Sequence, residues 1–362
     1  MVSLEQGRIG DWQFILLMMG FIFGSSIILV PGNQAGHDAW IAIILGMLGG
    51  IIVALVYTFL CVRFKGKNLI QIHGIVYGPY LGKLMSLLFL WFIFHMGSLI
   101  TNVFTYFFSI TTFPRTPDVF LMVLIVFVCA YAAQNGIEVI ARCGFIIVLA
   151  SMVIFLGSSI FLINNFHVSN FFPLFEAPIK EMLTAAYGAA AFPFAETVVF
   201  AMIIPYLNRK HGSIFPVVTA LLLGGLFITL ISIRNIGVLG PLNGIYVYPT
   251  FQTDRMIDVG GFIKRMEIIT VGVFLTFGFL KISVILYATA LGSAELLGLR
   301  TYRPLVSPIG ILMVIVALQN FKTFTGGISF SQQIYPIYAL PFELGIPLLT
   351  LIVALIRKLP KK

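Results

Sequence analysis

The chain has 362 residues, of which 59% are hydrophobic and only 10% charged, with a mean hydropathy of +1.05 and a net charge of +9. Apolar runs of about 18 residues or more recur along it, each long enough for a membrane helix. That balance excludes a water-soluble globular protein, leaves no room for a separate soluble domain, and makes the whole of 1–362 one polytopic membrane domain.

Ten apolar spans follow in order, at about 12–31, 38–62, 83–111, 118–134, 142–164, 182–206, 213–233, 266–298, 305–321 and 335–356. The short polar start, Met1 to Asp11, is followed by an apolar run without a small-residue cleavage site, so it reads as a retained span and not a removed signal. An even span count puts both termini on one side. With the N-terminus inside, fourteen of the 22 Lys and Arg residues fall in the cytoplasm and seven outside, Arg234 among the seven. Lys281 alone is left in a span. The bias favours cytoplasmic termini by the positive-inside rule and accounts for the +9 charge without nucleic acid. Cys61, Cys129 and Cys143 lie in or beside spans and give neither a disulfide framework nor metal spacing.

Span 1 contains Gly24-Ser25-Ser26. Glycine opens backbone conformations closed to other residues, and serine competes with the helix for backbone hydrogen bonds. The triplet suits a helix break; alone it equally suits a close helix contact.

Span 3 carries His95, Gly97, Thr101, Asn102 and Tyr106, suited to a cavity wall or to helix packing. His95 has no second ligand at metal spacing and reads as a hydrogen-bonded interior residue. The outer stretch Asn164–Glu181, with Phe166, Phe171, Phe172 and Phe175, reads as an interfacial loop or short amphipathic helix.

Span 6 contains Tyr187-Gly188-Ala189-Ala190-Ala191-Phe192-Pro193-Phe194-Ala195-Glu196. Proline removes a backbone donor and clashes with the preceding turn. In hydrocarbon the freed groups need protein, water or ligand. A mid-membrane carboxylate costs about 2.5–3.5 kcal/mol on insertion scales and survives where it faces a cavity or partner. The stretch predicts a discontinuous helix lining a ligand site; the plainer reading is a proline kink with a buried, protonated Glu196.

Breaks in spans 1 and 6 of ten are the layout of two five-span halves inserted with opposite orientation, roughly 1–165 and 182–356, whose breaks meet at the midplane. The expected fold is therefore all-α, ten transmembrane helices in a 5+5 inverted repeat with discontinuous helices 1 and 6.

The longest polar connection, Asn235 to Arg265, is apolar enough to fold back, as an external lid carrying Arg255 and Arg265 or as a passive linker. Lys281 follows, about 22 Å into span 8 at 1.5 Å per residue. It suits a fixed substitute for sodium, a protonatable coupling group, or a partner for Glu196; snorkelling to the cytoplasmic side is the alternative. Ser283 stands beside it. Glu267 and Glu295 lie near the span ends, where hydration makes a charge cheap, and Glu343 of span 10 is ambiguous. No phosphate loop, nucleophile elbow, His-Glu-x-x-His or acid/base pair appears, which leaves an enzyme unsupported.

Phe192-Pro193-Phe194-Ala195-Glu196, the run Tyr248-Pro249, Arg255, Ile257, Phe262, Arg265, Glu267, and Lys281-Ile282-Ser283 together resemble the B subunits of bacterial spore germinant receptors. These GerAB-type germination permeases are a branch of the amino acid/polyamine/organocation transporter superfamily. Ala195 stands where that pattern has glycine. The resemblance covers essentially the whole chain. It implies a ten-helix LeuT-like core, a nutrient receptor in the inner membrane of a spore, a complex with an A subunit and a lipoprotein C subunit, no cofactor, and a small nutrient, commonly an amino acid, bound between the two breaks. Backbone groups of Gly24, Ser25 and Ser26 would meet a carboxylate at a half-helix N-terminus. Carbonyls around Gly188 and Ala190 would take an ammonium. Thr101, Tyr187 and Phe194 would wall the pocket, and Lys281 would replace a bound sodium ion. A proton-coupled permease and a ligand-gated ion or water conduit are the alternative functions.

Overall fold

The computed structural model describes residues 5, 7–27, 29–208, 213–258, 266–321 and 323–360. The helices in chain order are α1 Asp11–Ser26, α2 Ala39–Arg63, α3 Leu69–Tyr77, α4 Pro79–Thr111, α5 Asp118–Gln134, α6 Ile137–Ile160 and α7 Ile179–Ala189. They continue as α8 Ile214–Leu239, α9 Pro249–Arg255, α10 Glu267–Leu297, α11 Arg303–Asn320, α12 Phe324–Ser329, α13 Tyr335–Leu340 and α14 Ile346–Ile356. Among the described residues, eight helical stretches are long and apolar enough to cross a membrane. α1 and α5, at 16 and 17 residues, complete the ten expected spans.

The centre is α1. Thirteen consecutive residues, Phe14 to Ser26, are buried. A helix apolar on every side is stable only when surrounded, and α1 packs against α6, α8 and α10. The outer helices turn large apolar side chains outward, such as Phe127 and Val153 at 70% exposure, as lipid requires.

Small residues set the close contacts. A Cβ on Gly46 would meet that of Ala189 at 2.5 Å, and one on Gly50 would meet that of Phe194 at 2.2 Å. Gly46 and Gly50 are one helical turn apart on α2. They form a groove that seats the interrupted part of span 6. Gly225 of α8 similarly admits Met47 of α2.

Three breaks interrupt the spans. The first ends α1 at Ser26, ahead of a 3-10 stretch at Asn33–Asp38. The second follows α7, with a π-turn over Ala190–Phe194 in which Phe192 is extended (φ −118°, ψ 116°), and then 3-10 helix over Ala195–Met202. The third was not foreseen. The last span runs from Thr325 to Ile356 with π-turns at Phe330–Ile334 and Pro341–Gly345. It starts about ten residues before the expected position 335.

Two further features depart from expectation. A short helix, α3, lies in the loop between spans 2 and 3. Asn68 Oδ1 caps it by accepting from Gln71 N at 3.1 Å, and Glu295 Oε1 accepts from Asn68 Nδ2 at 2.8 Å and from Gln71 Nε2 at 2.9 Å. Glu295 is thus a structural anchor and not a hydrated end charge. Burial pushes His73 of α3 down to about 3, so it stays neutral. Arg234, counted above as an outside cation, is buried, because α8 continues five residues past it.

The outer stretch 163–177 forms two 3-10 turns, Ile163–Asn165 and Val168–Phe171, in place of an amphipathic helix. Asp38 holds its end by accepting from Phe175 N at 3.0 Å and Ala177 N at 3.3 Å.

Replacing Glu295 by alanine removes the acceptor that ties α3 to α10. Hydrogen–deuterium exchange should then rise across residues 64–78 and remain unchanged in α7; an unchanged 64–78 segment would mean that α3 is held by its apolar face alone.

Candidate functional site

The breaks in spans 1 and 6 meet at one buried ion pair. Lys281 Nζ lies 2.5 Å from Glu196 Oε2 and donates to Ser25 Oγ at 3.2 Å. Tyr335 donates its hydroxyl to the other oxygen, Glu196 Oε1, at 2.7 Å. Lys281 is fully buried and Glu196 is 2% exposed. The ammonium also sits over the rings of Phe21, at 4.9 Å to the centroid, and Phe192, at 5.2 Å. Two faces and two acceptors therefore surround it, which is how a charge survives at this depth. Snorkelling is ruled out by this geometry.

Local sequence places each partner. Gly24 lets α10 approach α1, since a Cβ there would meet Lys281 Cδ at 2.5 Å and Cβ at 2.8 Å. Ser25 stands in the last turn of α1, at the end where the helix dipole is partially negative and favours a cation. Pro193 lacks the N–H that would continue α7, so the chain re-starts with Glu196 turned inward. Tyr335 follows directly on a π-turn, a distortion that often accompanies functional positions.

An inner cavity of about 40 Å³ borders the pair. Ser25, Met96, Ile100, Phe192, Glu196 and Tyr335 line it, from spans 1, 3, 6 and 10. By this measure a water needs about 10–15 Å³, so the space takes roughly three. A vestibule of about 160 Å³ lies beyond, lined by Asn33, Gln34, Gly188, Tyr246 and Gln332 among others. Leu29, Phe192 and Ser331 belong to both walls. Phe192 is half-buried, and its extended backbone swings its ring between the two spaces.

The structure gathers Ser25, Glu196 and Lys281 at the cavity and Gly188 at the vestibule. It places the other expected residues elsewhere. Ser26 donates to Ile22 O at 2.8 Å and Thr101 to Gly97 O at 2.8 Å, each within its own helix. Tyr187 donates to Pro336 O at 2.7 Å. Ala190 faces Gly49, and Phe194 is sealed against Gly50 of α2. Ser283 is buried beside Cys129 of α5.

The expected carboxylate cradle at residues 24–26 is also corrected. They form the C-terminal end of α1, and their N–H groups are used inside the helix, so this end attracts cations. Tyr335 and Phe192 were the residues whose roles sequence reasoning missed. The prolines at 336, 341 and 347 were the available sign that the last span is irregular.

The connection between spans 7 and 8 is held by residues other than Arg255 and Arg265. Arg255 is exposed, and Arg265 lies outside the described residues. α9 is instead pinned by Thr250, which donates to Ile27 O and accepts from Asn235 Nδ2 at 3.0 Å. Asp254 pairs with Arg234 Nη1 at 3.0 Å and accepts from Thr270 Oγ1. α9 is thereby tied to the end of α1.

Removing one member of a buried pair strands the other, at about 3–5 kcal/mol. Lys281→Met and Glu196→Gln should each lower the thermal midpoint of the purified protein sharply, and the double variant should recover most of the loss. Additive losses in this double-mutant cycle would show that the two side chains are not coupled.

Comparison with known proteins agrees with this architecture. A family model described as spore germination protein matches residues 8–325. Relatives include spore germination protein KB of Bacillus subtilis, 27% identical over 360 residues that cover 98% of this chain and 96% of that protein. Putative spore germination protein YfkT of the same organism is 24% identical over 341 residues, covering 91% and 93%. Among solved structures, the nucleobase-cation-symport-1 transporter MHP1 superimposes with a TM-score of 0.68 at 13% identity, covering 99% of this chain and 94% of that one. MhsT in complex with L-phenylalanine gives 0.65 at 13% identity, covering 98% and 99%. These likenesses establish the fold as that of LeuT-like transporters. With a family match over most of its length and ten spans of this kind, the chain belongs to the spore germination protein family of multi-pass membrane proteins.

Proposed function

We propose that this chain is the B subunit of a germinant receptor, which binds a small nutrient in the inner cavity and thereby triggers spore germination. The observation that carries the reading is the cavity itself: a family member of spore germination proteins retains a space bordered by Ser25, Phe192, Glu196 and Tyr335 at its two chain breaks. In this reading the protein sits in the spore's inner membrane with both termini cytoplasmic, as its cation bias suggests, and works with A and C partner subunits. Residues 1–165 and 182–356 act as the two half-repeats.

The cavity favours a small ligand with an apolar part. Met96, Leu99, Ile100, Val103, Phe321 and Phe330 supply the walls, and Ser25, Ser331, Glu196 and Tyr335 supply the polar contacts. A small amino acid fits that mixture: its ammonium has Glu196 and the carbonyl end of α1 to meet. Entry requires the Phe192 ring to move, since it closes the route from the vestibule. Closure over the ligand then draws together the span 1 break, Phe192 and the α9 lid. A ligand shifts such a two-state balance only by its difference in affinity for the two states. Lys281 bridges α1 and α10 with a fixed positive charge, so the design needs no sodium ion there.

The test is binding of a labelled amino-acid panel to the protein in liposomes, with sodium present or replaced by a large organic cation. Saturable binding without uptake, unchanged by the replacement and weakened at least tenfold by Phe192→Ala, is the expected result. Sodium-dependent binding would overturn the role given to Lys281. Gradient-driven uptake would make the chain a permease.

A further inference from the structure

The cavity's ion pair leaves one buried carboxyl without a role. Glu343 lies in the second π-turn of the last span, 2% exposed, and its Oε1 has no hydrogen-bond partner. Leaving such a group buried and unmet costs about 1–3 kcal/mol, more if it is charged. The groups around it can be enumerated. Its own span presents Tyr335, span 6 presents Glu196 and Tyr187, and α10 presents Lys281, while α2 and α4 pack against the same turn. Of these side chains only Lys281 carries a positive charge, and its ammonium is engaged by Glu196 and Ser25. On α4, His95 Nδ1 meets the Tyr338 hydroxyl at 2.9 Å. Two carboxyl groups thus share one lysine in the middle of a membrane protein. Two unit charges of one sign and one of the other leave a net charge in hydrocarbon, which the surroundings do not offset.

We propose that Glu343 is a proton-binding site, protonated in this conformation and linked to the ligand cavity through Tyr335. The proposal stands on the cluster alone and goes beyond the nutrient reading. Tyr335 lies between the two carboxyl groups, donating to Glu196 Oε1 and standing beside Glu343. With the proton on Glu343, every donor has a place: Glu343 O–H toward the Tyr335 oxygen, Tyr335 O–H to Glu196, and Lys281 N–H to Glu196.

A phenol carries a single proton, so Tyr335 serves one carboxylate at a time. When Glu343 gives up its proton, the O–H bond breaks and the proton passes to water in the cavity that Tyr335 and Glu196 line. The new carboxylate then takes the Tyr335 hydroxyl. Glu196 loses that donor and faces a second negative charge, so its hold on Lys281 is shared. Charge at Glu343 and the state of the cavity wall are in this way one equilibrium: a cationic ligand group at Glu196 favours loss of the proton, and loss of the proton favours the cationic ligand.

The measurement is infrared difference spectroscopy of the whole protein in lipid nanodiscs, titrated from acid through neutral to alkaline pH. The wild type should show the carbonyl stretch of a buried carboxylic acid at neutral pH, converting to carboxylate bands as the pH rises. That signal should be lost in Glu343→Gln and displaced in Tyr335→Phe, and in Glu196→Gln its conversion to carboxylate should move to lower pH, because Glu343 then stands alone with the Lys281 ammonium. Loss in Glu196→Gln with retention in Glu343→Gln would move the proton to the other carboxyl and overturn the proposal. Absence of any acid band in the wild type near neutral pH would also overturn it. Should Glu343→Gln not fold, Glu343→Asp serves: its band must move relative to wild type, and an unmoved band counts against Glu343.

Discussion

The salt bridge between Lys281 and Glu196 is the contact on which the rest of the site depends. Its two members come from spans 85 residues apart in sequence, and each would be prohibitive alone at this depth. The pair forces α10 against α1, and Gly24 is what makes that approach sterically available. It also fixes the inward turn of span 6 after Pro193, because Glu196 has to reach the ammonium. The aromatic rings of Phe21 and Phe192 then close the remaining faces. A site with so many mutually dependent parts has few intermediate arrangements, which suits a device that responds in a switch-like manner.

The surrounding scaffold divides its labour by chemistry. Small residues on α2 hold the broken span by close backbone approach, with Tyr57 donating to Thr197 Oγ1 further along. The outer end is held by polar contacts instead. Arg234 is enclosed by Asp254, Ser158 and the ring of Phe155, 4.3 Å from its guanidinium carbon. These ties reach the carbonyl of Ile27, directly beyond the last turn of α1. The span 1 break is therefore joined to α9 by polar contacts, whereas the α2 side meets span 6 through glycine-mediated close packing.

The location of the aromatic side chains carries a second lesson. Phe194 and Tyr187 flank the proline and were the natural choice for pocket walls. The structure turns Phe194 into the α2 groove and sends the Tyr187 hydroxyl to the last span. Phe192 occupies the wall because the extended conformation falls on that residue. A helix read through the motif without the break would have assigned the faces differently, by a rotation that no composition or spacing reveals.

Hydrophobic run length decided the number, order and approximate ends of the ten spans, because each must bury about twenty residues in hydrocarbon. Proline, glycine and the isolated charges marked spans 1, 6 and 8 as irregular for the same reason: their cost is intrinsic and visible residue by residue. The sequence alone could raise Lys281 and Glu196 as partners but not join them, since the pairing depends on how α1, span 6 and α10 cross. Tertiary structure also decided the polarity of the span 1 end. Gly24-Ser25-Ser26 was legible as an interruption, yet whether it exposes N–H groups or carbonyls depends on which side of it the helix continues. The third break and Tyr335 went unread, and Glu343 stayed ambiguous, because π-turns satisfy their own hydrogen bonds and leave no gap in an apolar run. Their meaning lies in what they face, and only packing brings that about.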